Sequence, residues 1–78
     1  MTSRRDTIIQ VVTDVLGPAA GPLDGSSGLD LTPGWDSMQH LSVIMALEEE
    51  FGVRVAPEDL ARNRTIRDLA ALIGRLKD

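Results

Sequence analysis

Asp36, Ser37 and His40 are residue types from which nucleophilic catalysts are built, and they stand close together in the chain. Asp36 and His40 are four apart and would touch across one helical turn. A triad, however, needs the base between nucleophile and orienting acid, an oxyanion hole, and a pocket that excludes water. A helix start in a 78-residue chain offers none of these. His40 therefore reads as a partly buried first-turn residue bonded to Asp36, and no catalytic site is expected. Asp24, Ser26, Gly28 and Asp30 alternate like the ligands of a calcium loop, but Leu29 stands where glycine is needed and Trp35 where the bidentate glutamate belongs. One histidine and no cysteine exclude the usual zinc sites and any disulfide framework. No metal site is expected.

Four helices are expected to position these residues, in an all-α small bundle of three main helices and one short one. Between Ser3 and Leu16, the residues Ile8, Ile9, Val11, Val12, Val15 and Leu16 fall within an arc of about 160°. Gly17 and Pro18 close that helix. Gly21, Pro22, Gly25, Ser26, Ser27, Gly28 and Pro33 make Pro18 to Gly34 a long loop between the first two helices, with Leu23, Leu29 and Leu31 expected to pin it against them. The second helix runs from Ser37 to about Phe51, with Asp36 as N-cap and Gly52 as terminator. Pro57 opens a short helix in which Leu60 points inward. The last begins at Thr65, where Thr65 and Asp68 form a capping box with Asp in place of Glu, and Ile66, Leu69, Ala70, Leu72, Ile73 and Leu76 line its inner face. Val53 to Val55 is too short to pair as a strand.

The second helix carries more apolar surface than a core face requires. His40, Val43, Ile44, Leu47 and Phe51 share one arc of about 100°, which is enough to bury it. Met38, Leu41 and Met45 form a second stripe, interleaved with Glu48 and Glu49. An apolar stripe rimmed by carboxylates has the character of a transient docking surface, with methionine supplying adaptable contacts. The alternative is that the stripe packs beneath the long loop.

Composition bounds the rest. A chain this short forms one small domain, residues 1–78. Hydrophobic residues at 42% and charged residues at 26% describe a folded globular chain, and no apolar run approaches the roughly 18 residues of a membrane span. Met1 to Arg5 has no apolar leader core, so a cytoplasmic location is expected. From Asp24 to Asp59, eight acids face Arg54 alone, a net of −7 against +3 in the flanks. This balance opposes nucleic-acid binding and argues against a helix-turn-helix reading. It suits partners with basic surfaces, or solubility alone. Arg62, Arg64 and Arg67 read as a solvated face offsetting the acidic middle.

The stretch Gly34-Trp35-Asp36-Ser37-Met38, followed by Leu41 and then by Ile44-Met45-Ala46-Leu47-Glu48-Glu49-Glu50-Phe51-Gly52, resembles the recognition helix of acyl carrier proteins. Their hallmark is Asp-Ser-Leu, and Met38 here replaces the leucine. The first helix, long loop, short helix and last helix also follow the family's order, so the resemblance covers nearly the whole chain. It implies that Ser37, flanked by Asp36, carries 4′-phosphopantetheine attached by a phosphopantetheinyl transferase that uses coenzyme A. It further implies that the arm's thiol holds acyl groups as thioesters, and that this chain is a non-catalytic monomeric carrier. Loading and transferring enzymes such as an acyltransferase, ligase or ketosynthase would dock on Met38, Leu41, Met45, Glu48 and Glu49.

Departures within the resemblance narrow the expected pathway. Gln39 and Ser42 stand where fatty-acid carriers usually place acids, and Trp35 resembles carriers of polyketide and nonribosomal peptide pathways. The expectation is a discrete carrier for specialised metabolism. A fatty-acid carrier and an aminoacyl carrier are the nearer alternatives. An unmodified helical adaptor, which would keep the docking stripe without needing Ser37, is the alternative of another class.

Overall fold

The computed structural model describes residues 3–77; Met1, Thr2 and Asp78, including part of the Met1 to Arg5 segment considered above, lie outside the described residues. Four α-helices occur among the described residues: α1 (Arg4–Leu16), α2 (Ser37–Phe51), α3 (Pro57–Arg62) and α4 (Ile66–Lys77). A short 3₁₀ turn, Pro18–Ala20, interrupts the predicted loop because Pro18 is preset for a first helical position. No strand occurs among the described residues, only an isolated antiparallel bridge between Gly28 and Thr65.

The helix ends follow from local hydrogen-bond chemistry. The Ser3 hydroxyl accepts the Asp6 N–H at 3.0 Å, and Gly17 closes α1 with φ of 82°. Asp36 Oδ1 accepts the Gln39 N–H at 2.9 Å at the start of α2, and Gly52 ends it in the left-handed conformation. The Thr65 hydroxyl accepts the Asp68 N–H at 3.1 Å while Asp68 Oδ2 accepts the Thr65 N–H at 3.3 Å, so the shortened capping box forms. Burial, the largest single influence on the Asp68 carboxyl, pushes its pKa up, but the Thr65 and Arg64 amides, the Thr65 hydroxyl and the Arg67 charge together hold it below its ordinary range.

The core gathers Ile8 and Val12 from α1, Val43, Ile44 and Leu47 from α2, and Ile66, Leu69 and Ile73 from α4. Trp35, from the segment before α2, is buried among them. Phe51 and Leu60 pack against this cluster from the side, as expected, whereas Leu76 lies on the exposed edge of α4 rather than on its inner face.

The long loop is held differently from expectation. Leu23 and Leu29 do pack against the core, but Leu31 is 70% exposed and pins nothing. Backbone pairing with the start of α4 does most of the holding. The Leu29 N–H donates to the Arg64 carbonyl at 2.8 Å, while the Ile66 and Arg67 N–H groups donate to the Ser27 and Gly25 carbonyls at 2.9 Å each. Thus loop carbonyls satisfy the first two amides of α4, which have no intrahelical acceptor, and the Thr65 hydroxyl satisfies the third. Asp24 and Ser26 form an Asx turn, with the Ser26 N–H donating to Asp24 Oδ1 at 2.8 Å, rather than a cation loop.

Gly28 is where loop and helix start approach most closely, and a Cβ there would strike the Arg64 carbonyl oxygen and the Thr65 Cα. Gly28→Ala is therefore expected to destabilise the fold by about 1–3 kcal/mol, the usual cost of overpacking. Urea denaturation measures it; a midpoint shift equivalent to under about 0.5 kcal/mol, the range of neutral surface changes, would show that loop docking is dispensable.

Candidate functional site

The chain from loop to Ser37 is continuous in its bonding. The Asp30 N–H donates to the Trp35 carbonyl at 2.9 Å, and the Trp35 N–H to the Thr32 carbonyl at 3.0 Å. Asp30 adopts a left-handed φ of 64°, tolerable for aspartate, and its carboxylate pairs with Arg64 at 3.0 Å. Trp35 then buries its ring, Asp36 caps α2, and Ser37 emerges as the first residue of the helix.

Trp35 and His40 occupy the N′ and N4 positions of a hydrophobic staple, here in a hydrogen-bonded form. The Trp35 indole Nε1–H donates to His40 Nδ1 at 2.9 Å, with ring centroids 5.9 Å apart. His40 is 5% exposed, and its Nε2 lies 3.2 Å from the Leu60 carbonyl of α3. Its side chain does not bond Asp36, contrary to expectation: Nδ1 accepts from the Trp35 indole and Nε2 faces the Leu60 carbonyl, while Asp36 Oδ1 accepts the Gln39 N–H. Sequence reasoning missed Trp35 as a core residue; its position immediately before an N-cap and five before His40 was the available signal.

Ser37 is exposed, and its hydroxyl takes part in no hydrogen bond among the described residues. Most neighbouring hydroxyls are engaged: Ser26 with Asp24, Ser27 with the Asp24 N–H, Thr32 with the Gly28 N–H, and Ser42 with the Met38 carbonyl. The Ser37 and Met38 amides, first and second in α2, have no intrahelical acceptor and lie at the positive end of the helix dipole, so an anionic group on Ser37 would be favoured there. A shallow groove beside Ser37 is walled by Leu29, His40, Pro57, Leu60 and Ala61, with the Asp30–Arg64 pair at its edge. These features fit a phosphodiester-linked arm. No group of His, Cys, Asp or Glu side chains suited to a metal ion occurs among the described residues.

The residues predicted for a partner face divide into two groups. Met38, Leu41 and Met45 are 81%, 51% and 60% exposed, so the stripe does not pack beneath the loop. Glu49 is free on the surface, but Glu48 Oε2 accepts the Val55 N–H at 2.8 Å and so secures the α2–α3 connection.

Residues 6–73 match the family model described as the phosphopantetheine attachment site. The chain belongs to that family. It is a carrier rather than an enzyme, and its cofactor is phosphopantetheine. An acyl carrier protein of Solidesulfovibrio magneticus is 29% identical over 72 residues, covering 92% of each chain. The crystal structure of an acyl carrier protein from Thermotoga maritima superposes with a TM-score of 0.74 at 20% identity, over 95% of this carrier and 91% of that chain, and so shares its fold.

The two apolar faces of α2 should respond differently to truncation. Leu47 is fully buried, so Leu47→Ala is expected to cost about 2–5 kcal/mol through lost transfer energy and a cavity. Met45→Ala, on the exposed stripe, should remain within about 0.5 kcal/mol of the parent. Chemical denaturation compares them directly, and equal losses would place Met45 in the core.

Proposed function

We propose that Ser37 is the residue of this single carrier domain to which 4′-phosphopantetheine is attached, and that the chain, as a monomer, delivers thioester-bound acyl groups to its partner enzymes. The observation carrying this reading is the unengaged, exposed Ser37 hydroxyl on the first residue of α2, within Asp36-Ser37-Met38. The bound arm would supply a thiol for acyl transfer; the chain itself supplies an accessible hydroxyl, a helix terminus that favours negative charge, and a rigid body. The exposed stripe of Met38, Leu41 and Met45, flanked by Asp36 and Glu49, supports docking of the phosphopantetheinyl transferase and of acyl-loading or acyl-transferring enzymes through apolar contact and charge steering. Glu48 contributes there only with the oxygen that does not hold Val55.

The reading extends to a carrier of specialised metabolism, of polyketide or hybrid type. Gln39 and Ser42 leave the first half of α2 without the acids usual in fatty-acid carriers. Trp35 supports this only as a resemblance, since its side chain is buried and so offers no surface to another protein.

Incubation with coenzyme A and a broad-specificity transferase should add one phosphopantetheine per chain, and none to Ser37→Ala, which should keep its helical circular dichroism. Intact-mass spectrometry reads the outcome, and a Ser37→Ala chain that is still modified would overturn the assignment. Because exposed charges are screened beyond about 8 Å at physiological ionic strength, transfer between this carrier and a basic partner should slow as salt rises. Stopped-flow rates that stay flat with salt would reduce the acidic rim to a solubility feature.

A further inference from the structure

Among the described residues that border the groove beside Ser37, Arg64 is the one permanent cation. Its backbone is fixed independently of its side chain. The Arg64 carbonyl accepts the Leu29 N–H at 2.8 Å, and the Arg64 N–H donates to Asp68 Oδ2 at 3.3 Å. The guanidinium, on a half-exposed side chain, has one hydrogen-bonded partner, with Nη2 donating to Asp30 Oδ2 at 3.0 Å. An ion pair exposed to this degree gains little over hydration, so exchanging one anionic partner for another costs little. The Arg64 charge nevertheless reaches into the groove, where it opposes protonation of the buried His40, three residues after Ser37.

The acids at this end of the molecule are already committed. Asp36, immediately before Ser37, accepts the Gln39 N–H, and Asp30 on the groove's edge accepts from Arg64. Asp30 is also the one non-glycine residue with a positive φ among the described residues, so its backbone is held in a sparsely populated conformation at the groove's rim. A phosphodiester on Ser37 would add a further negative charge beside these two carboxylates, and Arg64 is the group placed to offset it. A guanidinium suits the task, because its planar donors pair with two phosphate oxygens at once where an ammonium acts as a point charge.

We propose that Arg64 is a positioning residue for the arm: once Ser37 is modified, its guanidinium exchanges Asp30 for the phosphodiester, and Asp30 remains as a competitor that keeps the hold reversible. The inference rests on the attachment at Ser37 proposed above and adds the residue that holds the attached phosphate at the groove. If the Arg64 side chain served only to tie the loop to the start of α4, it would be indifferent to modification.

Nitrogen and phosphorus nuclear magnetic resonance of the ¹⁵N-labelled chain, before and after the arm is attached and located by tandem mass spectrometry, tests the exchange. Arg64→Gln removes the guanidinium and keeps the backbone bonds of that residue. Asp30→Asn removes the competing charge, and asparagine tolerates the left-handed backbone. Attachment should shift the Arg64 Nε–H resonance in the wild type and shift it further in Asp30→Asn. The phosphorus resonance of Arg64→Gln should differ from that of the wild type and differ more from that of Asp30→Asn. The double variant should return to the Arg64→Gln value, and Arg67→Gln, which does not border the groove, should match the wild type. An Nε–H resonance that ignores attachment, a phosphorus resonance blind to Arg64→Gln, or an Asp30→Asn effect that survives in the double variant would each overturn the proposal. Should Arg64→Gln fail to fold, the Nε–H shifts of the wild type and Asp30→Asn still decide it. An arm found on Ser37 but unresponsive to Arg64 would overturn this inference alone, whereas an arm located elsewhere would overturn the attachment with it.

Discussion

The amides at the start of α4 have no acceptors in their own helix, and much of the architecture follows from how they are satisfied. The long loop lends them the Ser27 and Gly25 carbonyls and receives the Arg64 carbonyl for its own Leu29 N–H. Groups that would each be costly to bury unpaired are thereby matched, and a glycine-rich segment becomes fixed without a strand or a helix. The close approach at Gly28 sets where the loop can turn. From there the Asp30-to-Trp35 bond carries the placement to Trp35, Asp36 and Ser37. The Ser37 end of α2 is thus positioned by residues close to the other end of the sequence.

A second constraint is the economy of so small a core. Trp35 contributes the largest fully buried side chain, yet it lies outside every helix. Its indole N–H needs an acceptor once buried, and His40 provides one within the same staple. The residue that satisfies Trp35 is also the one that reaches α3. Packing, hydrogen bonding and the placement of α3 therefore converge on a single side chain, His40, three residues after Ser37.

Local signals in the sequence were sufficient for most of the helical frame. Asp36 with Gly52, Pro57, and Thr65 with Asp68 are boundary residues whose chemistry acts within four positions, so α2, α3 and α4 were legible. The two faces of α2 were legible because helical rotation separates Leu47 from Met45. What escaped was non-local. Backbone pairing between residues 25–29 and 64–67 leaves no side-chain pattern, so the sequence points to leucine pins instead and places inward a Leu31 that is exposed. Glu48 read as a free rim acid because its acceptor role toward Val55 depends on the chain reversing at Gly52. Helical spacing pairs His40 with the aspartate four residues earlier, while its partners lie five residues before it and twenty after.

The proposed attachment selects the Ser37 hydroxyl, at the start of α2, from several that are exposed. Tandem mass spectrometry of the modified chain tests that selection most directly, because the tryptic fragment from Asp6 to Arg54 contains Thr7, Thr13, Ser26, Ser27, Thr32, Ser37 and Ser42. Phosphopantetheine found on Ser37 alone is the predicted result. Its location on any other of these hydroxyls would contradict the account.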